Sequence, residues 1–97
     1  LINPKDIQIL NYDIDKTHKI YTNIKDAMEN KFMMEPSPIL LSREIKKGKI
    51  LKPVELMINE NSQNFKYSLI HGRLRYWAWI IAHGDKEPIP SYILNVN

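Results

Sequence analysis

Cysteine is absent from the 97 residues. Disulfides, thiolate metal sites and thiol catalysis are excluded with it, and the chain reads as cytoplasmic. No apolar run approaches the roughly 20 residues that a membrane-crossing helix needs. The opening residues lack the basic, apolar and small-residue succession of a secretory leader. Charge of one sign is also in short supply. Fourteen basic residues face 11 acidic ones, for a formal charge of +3. That is a mild lean toward anionic partners, well short of a dense DNA-binding stripe. Of the three histidines, His18 and His83 lack ligand spacing with each other or with carboxylates, so no structural metal is expected. Glycine occurs three times, at 48, 72 and 84, and each position ends or begins a patterned segment.

What is present suits one globular domain spanning residues 1–97: 43% apolar and 26% charged residues, without repeats or low-complexity tracts. Asp6 to Leu10 reads as a short strand with Ile7 and Ile9 on one face. A loop is expected over Asn11 to Lys19. Thr22 is placed to cap a helix running to about Met34, with Ile24, Ala27, Met28 and Lys31 along one side. Ser37 as cap and Pro38 in the first turn start a second helix. Leu41 and Ile45 share its face and Gly48 ends it.

Pro53 to Ile58 alternates, with Val54, Leu56 and Ile58 on one side. Phe65 to Ile70 alternates again, which makes a hairpin with a loop longer than two residues. Arg73 to His83 is the strongest helix pattern, closed by Gly84. Its core stripe is read as Leu74, Trp77, Ala78 and Ile81. Ile89 to Val96 is a last strand, which Pro88 and Pro90 confine to an edge or a non-bonding start. The fold class is therefore α+β: a small mixed sheet of about four strands with three helices.

Chemistry concentrates where the strand ending at Ile70 turns through His71 and Gly72 into the helix at Arg73. The first amides of a helix lack intrahelical partners and carry the positive end of the helix dipole. Glycine just before them lets an anion approach the backbone, and Arg75 adds a planar fork that matches phosphate or carboxylate oxygens. Arg73 raises the local potential further. A plain solvated helix start is the alternative. His71, beside the glycine, is the candidate acid or base. Arg75 and Trp79 have the four-residue spacing of a cation–π pair. Lys46, Lys47, Lys49 and Lys52 surround Gly48 as a basic patch suited to nucleic acid or phosphate. Trp79 and Ile80 lie off the core stripe, where they cover a lower layer or meet a second chain as in a homodimer. Glu55 and Glu60 are carboxylates through which a divalent ion could bridge to phosphate.

Taken in order, Gly48-Lys-Ile-Leu-Lys-Pro53-Val54, an alternating strand, Leu69-Ile-His-Gly72-Arg-Leu-Arg75-Tyr-Trp-Ala78, then Gly84 and Ile89-Pro90 resemble the nucleotide-binding core of ParB-like partition proteins, of the ParB/sulfiredoxin-like superfamily. The resemblance covers about half the chain, from Gly48 onward. Pro53 matches the proline of that family's first box, and Gly72, Arg75 and Ala78 match its Gly-Glu-Arg-Arg-x-x-Ala box. It implies CTP or ATP with magnesium as ligand, a phosphate site at Gly72, Arg73, Arg75, Lys52 and Pro53, and a plasmid- or phage-related setting.

Two positions depart from the pattern. Arg73 stands at the glutamate and Leu74 at the first arginine, which removes a metal- or water-orienting carboxylate and counts against hydrolysis. Sulfiredoxin chemistry needs a cysteine where Arg73 stands and is excluded. The helix-turn-helix and dimerisation segments of partition proteins are not evident. Related plasmid nucleases keep open a phosphodiesterase reading that uses His71, and a silent interaction module is the third alternative.

Overall fold

The computed structural model describes residues 1–10, 21–60 and 64–94. The expected loop over Asn11 to Lys19, with His18, and the tail of the last strand lie outside the described residues. Among the described residues, four strands and three α-helices follow one another in the order β1 (Ile7–Gln8), α1 (Ile24–Glu29), α2 (Pro38–Lys46), β2 (Val54–Ile58), β3 (Tyr67–His71), α3 (Arg73–His83) and β4 (Ser91–Ile93). A short 3₁₀ turn, Pro4–Asp6, leads into β1. This is the small α+β arrangement that the hydropathy pattern predicts.

The sheet is mixed, with spatial order β1-β3-β2-β4. The predicted hairpin forms as the antiparallel β2–β3 pair, with Leu56 opposite Leu69 and a register shift between Glu55 and Leu56. The loop joining the two strands is pinned at its base by the Asn59 amide, which donates to the Lys66 carbonyl at 2.8 Å. β1 joins β3 and β4 joins β2, both in parallel. β4 takes an edge, as its flanking prolines require, because proline has no N–H to give to a ladder. The Pro90 carbonyl still accepts from the Val54 amide at 3.1 Å.

Helix boundaries follow from caps. Ser37 Oγ accepts from the Leu40 amide at 3.1 Å at the start of α2, and the chain turns at Gly48 with φ 100°. α1 is shorter than predicted and is capped by Asn23, not Thr22; Asn23 Oδ1 accepts from the Asp26 amide at 2.9 Å. It stops at Asn30, which is left-handed at φ 49°. The Asn30 side chain takes hydrogen bonds from the Tyr21 hydroxyl (2.7 Å) and the Met34 amide (3.0 Å). A folded-back loop thereby replaces the predicted second half of the helix. Of its expected apolar face only Ala27 is buried, while Ile24 and Met28 are exposed.

The core gathers Val54, Leu56 and Leu69 from the sheet, Leu41 and Ile45 from α2, Trp77 and Ala78 from α3, and Ile89. Tyr21, absent from the predicted elements, is among its most buried members. Its carbonyl accepts from Trp77 Nε1 at 2.9 Å, so the indole nitrogen is satisfied at depth. The stripe that α3 buries differs from the predicted one. Arg73, Tyr76, Trp77 and Ala78 are buried, whereas Leu74 and Ile81 are half-buried. The helix packs at once on the sheet, α2 and α1, so its inner face is wider than one stripe. Ile58 alternates with the core residues of β2 but is 62% exposed, at the last position of the strand.

Leu69→Ala is expected to lower unfolding free energy by about 2–5 kcal/mol, since it empties a fully buried site in a central strand. Ile58→Ala is expected to stay within about 0.5 kcal/mol of wild type. Urea denaturation of both variants checks the contrast.

Candidate functional site

β3 delivers His71 and Gly72 to the start of α3, and β2 begins beside them. Gly72 is the N-cap of α3, with φ 105° and no side-chain cap. Two neighbours explain why this residue is glycine. A Cβ built there would lie 2.9 Å from Val54 Cγ1 and 2.9 Å from Arg75 Nη2. The space over Gly72 that the sequence assigns to an approaching anion is therefore taken by the Arg75 guanidinium itself. This corrects the expected geometry: the close approach to the Gly72 backbone is filled by a side chain of the protein itself.

Arg75 lies in the first turn of α3 and folds back toward the start of β2. Its Nη1 donates to the Lys52 carbonyl at 3.2 Å and to the Pro53 carbonyl. The side chain is half-buried. Burial pushes the guanidinium below its ordinary pKa, and the Glu55 carboxylate acts in the opposite direction. Arginine stays charged at physiological pH even so. The cation–π pair expected with Trp79 is replaced by these carbonyls. Trp79 instead meets His83 edge-on, at a centroid distance of 4.5 Å, and its Nε1 donates to the Glu87 carbonyl at 3.1 Å.

His71 and Glu55 face each other across the β2–β3 register. Nδ1 lies 2.7 Å from Glu55 Oε2, with both side chains partly exposed. An ionised carboxylate only accepts, so Nδ1 is the donor to it and the contact orients the ring. Each residue stands out singly in the sequence as a candidate, but their pairing does not. It depends on the register shift at Glu55, for which the strand pattern carries no signal.

Arg73 is a second correction. It is buried, and its Nη2 donates to the Leu10 carbonyl at 3.1 Å, beyond β1. β1 and β2 flank β3 on opposite sides. Arg73 and Arg75 therefore diverge, one to each neighbour of β3, and do not form a joint cationic site. Lys52 and Pro53 reach the junction through their backbone carbonyls, while the Lys52 side chain is exposed. Lys46 and Lys47 are exposed at the end of α2, and Lys49 pairs with Glu44 at 2.8 Å. Lys49, Pro53 and Trp79 do come together, along an apolar groove of about 500 Å³ behind the junction. Ile80 packs partly against the core, so the lower-layer alternative describes it.

The two carboxylates suggested as ion ligands do not converge. Glu55 pairs with His71 near the start of β2, and Glu60 lies past the opposite end. Among the described residues no group of three or more His, Asp or Glu side chains is arranged to hold a metal. No helix among them is long and apolar enough to cross a membrane. Comparison of the sequence with protein-family models and with curated proteins finds no match.

Gly72→Ala is expected to lose about 1–3 kcal/mol, from strain at positive φ together with crowding by Val54 and Arg75. Gly48 has nearly the same φ but open space around it, so Gly48→Ala isolates the backbone part. Equal losses for the two in chemical denaturation would remove the crowding argument.

Proposed function

We propose that the chain is a ParB-like domain that binds a phosphate-bearing ligand, a nucleotide or a nucleic-acid strand, at the β3–α3 turn. One observation carries this: Arg75 is a half-buried cation held in place by two backbone carbonyls at the positive end of a helix. Its side chain has little entropy left to lose when an anion arrives. Burial has also stripped part of its solvation, which an anion restores. His71 lies immediately before the turn, and the Lys52 side chain is exposed next to the carbonyls that hold the guanidinium. The phosphate meets the exposed edge of Arg75, and magnesium, if required, arrives with the nucleotide.

With CTP, ATP or GTP and magnesium, or with a short oligonucleotide, at least one ligand is expected to raise the melting midpoint. Arg75→Ala should abolish the shift, and Arg75→Lys should retain part of it. Failure of every ligand on the parent chain, or an undiminished shift in Arg75→Ala, would sink the reading.

The 2.7 Å contact between His71 Nδ1 and Glu55 Oε2 favours a second reading, phosphodiester cleavage at the same turn. The imidazole, oriented by Glu55, takes the proton of an attacking water. The water oxygen bonds to phosphorus as the bond to the leaving oxygen breaks, and Arg75 balances charge on the phosphoryl oxygens. Cleavage of labelled DNA and RNA, with and without a chelator, is the assay. His71→Ala is expected to reduce the rate by about 10²–10⁴ and Glu55→Gln by less. A rate unchanged in His71→Ala would assign the cleavage elsewhere.

A further inference from the structure

The sheet face turned away from the core carries a row of three side chains, of which the turn uses two. In β2, Val54 and Leu56 are buried in the core, so Glu55 between them points to the other side. The register shift beside Glu55 brings His71 of β3 to that same side, where the two meet at 2.7 Å. Across the other edge of β2, Tyr92 of the parallel strand β4 is the register partner of Glu55. Its neighbours Ser91 and Ile93 are the partners of Val54 and Leu56, so the Tyr92 ring stands on the Glu55 side. His71, Glu55 and Tyr92 thus lie abreast on three neighbouring strands, a span of roughly 10 Å at the usual strand spacing.

Tyr92 differs from the other aromatic residues. It is 62% exposed, and it is the one exposed Phe, Tyr or Trp among the described residues. Tyr21, Phe32, Tyr76 and Trp77 lie in ring pairs, and Trp79 is engaged with His83 and tied through Nε1 to the Glu87 carbonyl. Among the described residues, no hydrogen bond or ring contact engages Tyr92. Glu55 also has capacity left. Its Oε2 meets His71, while among the described residues Oε1 has no hydrogen bond. The Pro53 carbonyl that holds Arg75 lies two residues before Glu55, and the Glu55 carboxylate is near enough to act on the Arg75 charge. A cation, a carboxylate acceptor and an open aromatic ring therefore follow one another from the turn to the edge strand.

From this row we infer that Tyr92 stacks the base of the ligand proposed for the turn: with the phosphate on Arg75, the nucleobase lies flat on the Tyr92 ring and an exocyclic amine donates to Glu55 Oε1. The inference rests on the phosphate reading and adds the base to it. Charge sets the direction. The Glu55 carboxylate repels phosphate oxygens, which keeps the phosphate at the Arg75 end and leaves the carboxylate side to the uncharged base. Stacking on an aromatic ring contributes with any base, because each has a π-face. The carboxylate discriminates. An amine can donate to it, whereas a base carbonyl at the same place sets acceptor against acceptor. The ligand class is an amine-bearing nucleoside phosphate, free or within a single strand.

The test is calorimetric titration of the 97-residue chain and its variants with ATP, ITP, inorganic tripolyphosphate and a short oligoadenylate, each with magnesium. ITP carries a carbonyl where ATP carries its amine, and tripolyphosphate has no base. ATP or the oligoadenylate is expected to bind most tightly, and which of the two does so tells a free nucleotide from a strand. Tyr92→Ser should weaken that ligand roughly 5- to 150-fold, the range of one base–aromatic stack, and leave tripolyphosphate unchanged. Tyr92→Phe, which keeps the ring, should retain the affinity. Glu55→Gln should narrow the preference for ATP over ITP. Met33→Ser, a change at an exposed residue beyond α1, should bind as the parent does. Melting curves of the variants confirm that they remain folded. Binding that Arg75→Ala removes and Tyr92→Ser leaves intact overturns this inference while the phosphate reading stands. Equal affinity of the parent for ATP and ITP overturns the part given to Glu55. Binding indifferent to Arg75→Ala, or no binding by any of the four ligands, takes down both readings. A dimer in sedimentation that Tyr92→Ser dissociates also overturns the inference, because it gives the ring to a second copy.

Discussion

The junction at Gly72 rests on a close approach that only a residue without a β-carbon permits. Val54 at the head of β2 and the guanidinium of Arg75 both press against the same backbone point. The Arg75 side chain then reaches the carbonyls of Lys52 and Pro53, two residues that precede β2. One side chain thus ties the end of β3, the start of α3 and the approach to β2 into a single unit. The carbonyls it satisfies lie just before the ladder begins, where backbone acceptors otherwise need water or another donor. Positions in the neighbouring site follow from that tie. His71 and Glu55 meet because the two strands are held in this register at this end, and Pro53 is fixed as part of the groove wall.

The two arginines of the turn show how similar residues two positions apart come to different uses. At about 100° per residue, positions 73 and 75 point roughly 200° apart around the helix. Arg73 is carried inward to the carbonyl of Leu10, and Arg75 outward to the approach of β2. A buried guanidinium with a backbone acceptor is an architectural element, and replacing it would leave the half-buried Leu10 carbonyl without this donor. The half-buried one keeps enough exposure to meet a ligand. Only Arg75 is available to the phosphate chemistry proposed for this turn.

The Gly72 turn and the apolar groove adjoin at Pro53 and differ in kind. One is polar, built on a helix start and a histidine–carboxylate pair. The other is lined mainly by the apolar side chains of Ile45, Ile50, Leu51, Pro53, Trp79 and Pro90. Because Arg75 holds the stretch before β2 through its carbonyls, the two surfaces share a mechanical part.

Much of the architecture was legible in the residues. Ser37-Pro38 marks the start of α2, Gly84 the end of α3, and alternation marks the two strands of the hairpin. These signals are local and depend on backbone conformation and period. The partition of charge at the turn was not local. That Arg73 goes inward, that Arg75 bonds to carbonyls more than 20 residues earlier, and that His71 meets Glu55 are all consequences of how β1, β2 and α3 surround β3. Tyr21 and Asn30 shorten α1 through contacts that no helical pattern encodes. The sequence by itself determined most of the helix and strand segments and the glycine turn that joins β3 to α3. Tertiary structure decided which side chains face each other there, because long-range register and packing choose partners from residues that local propensity treats alike.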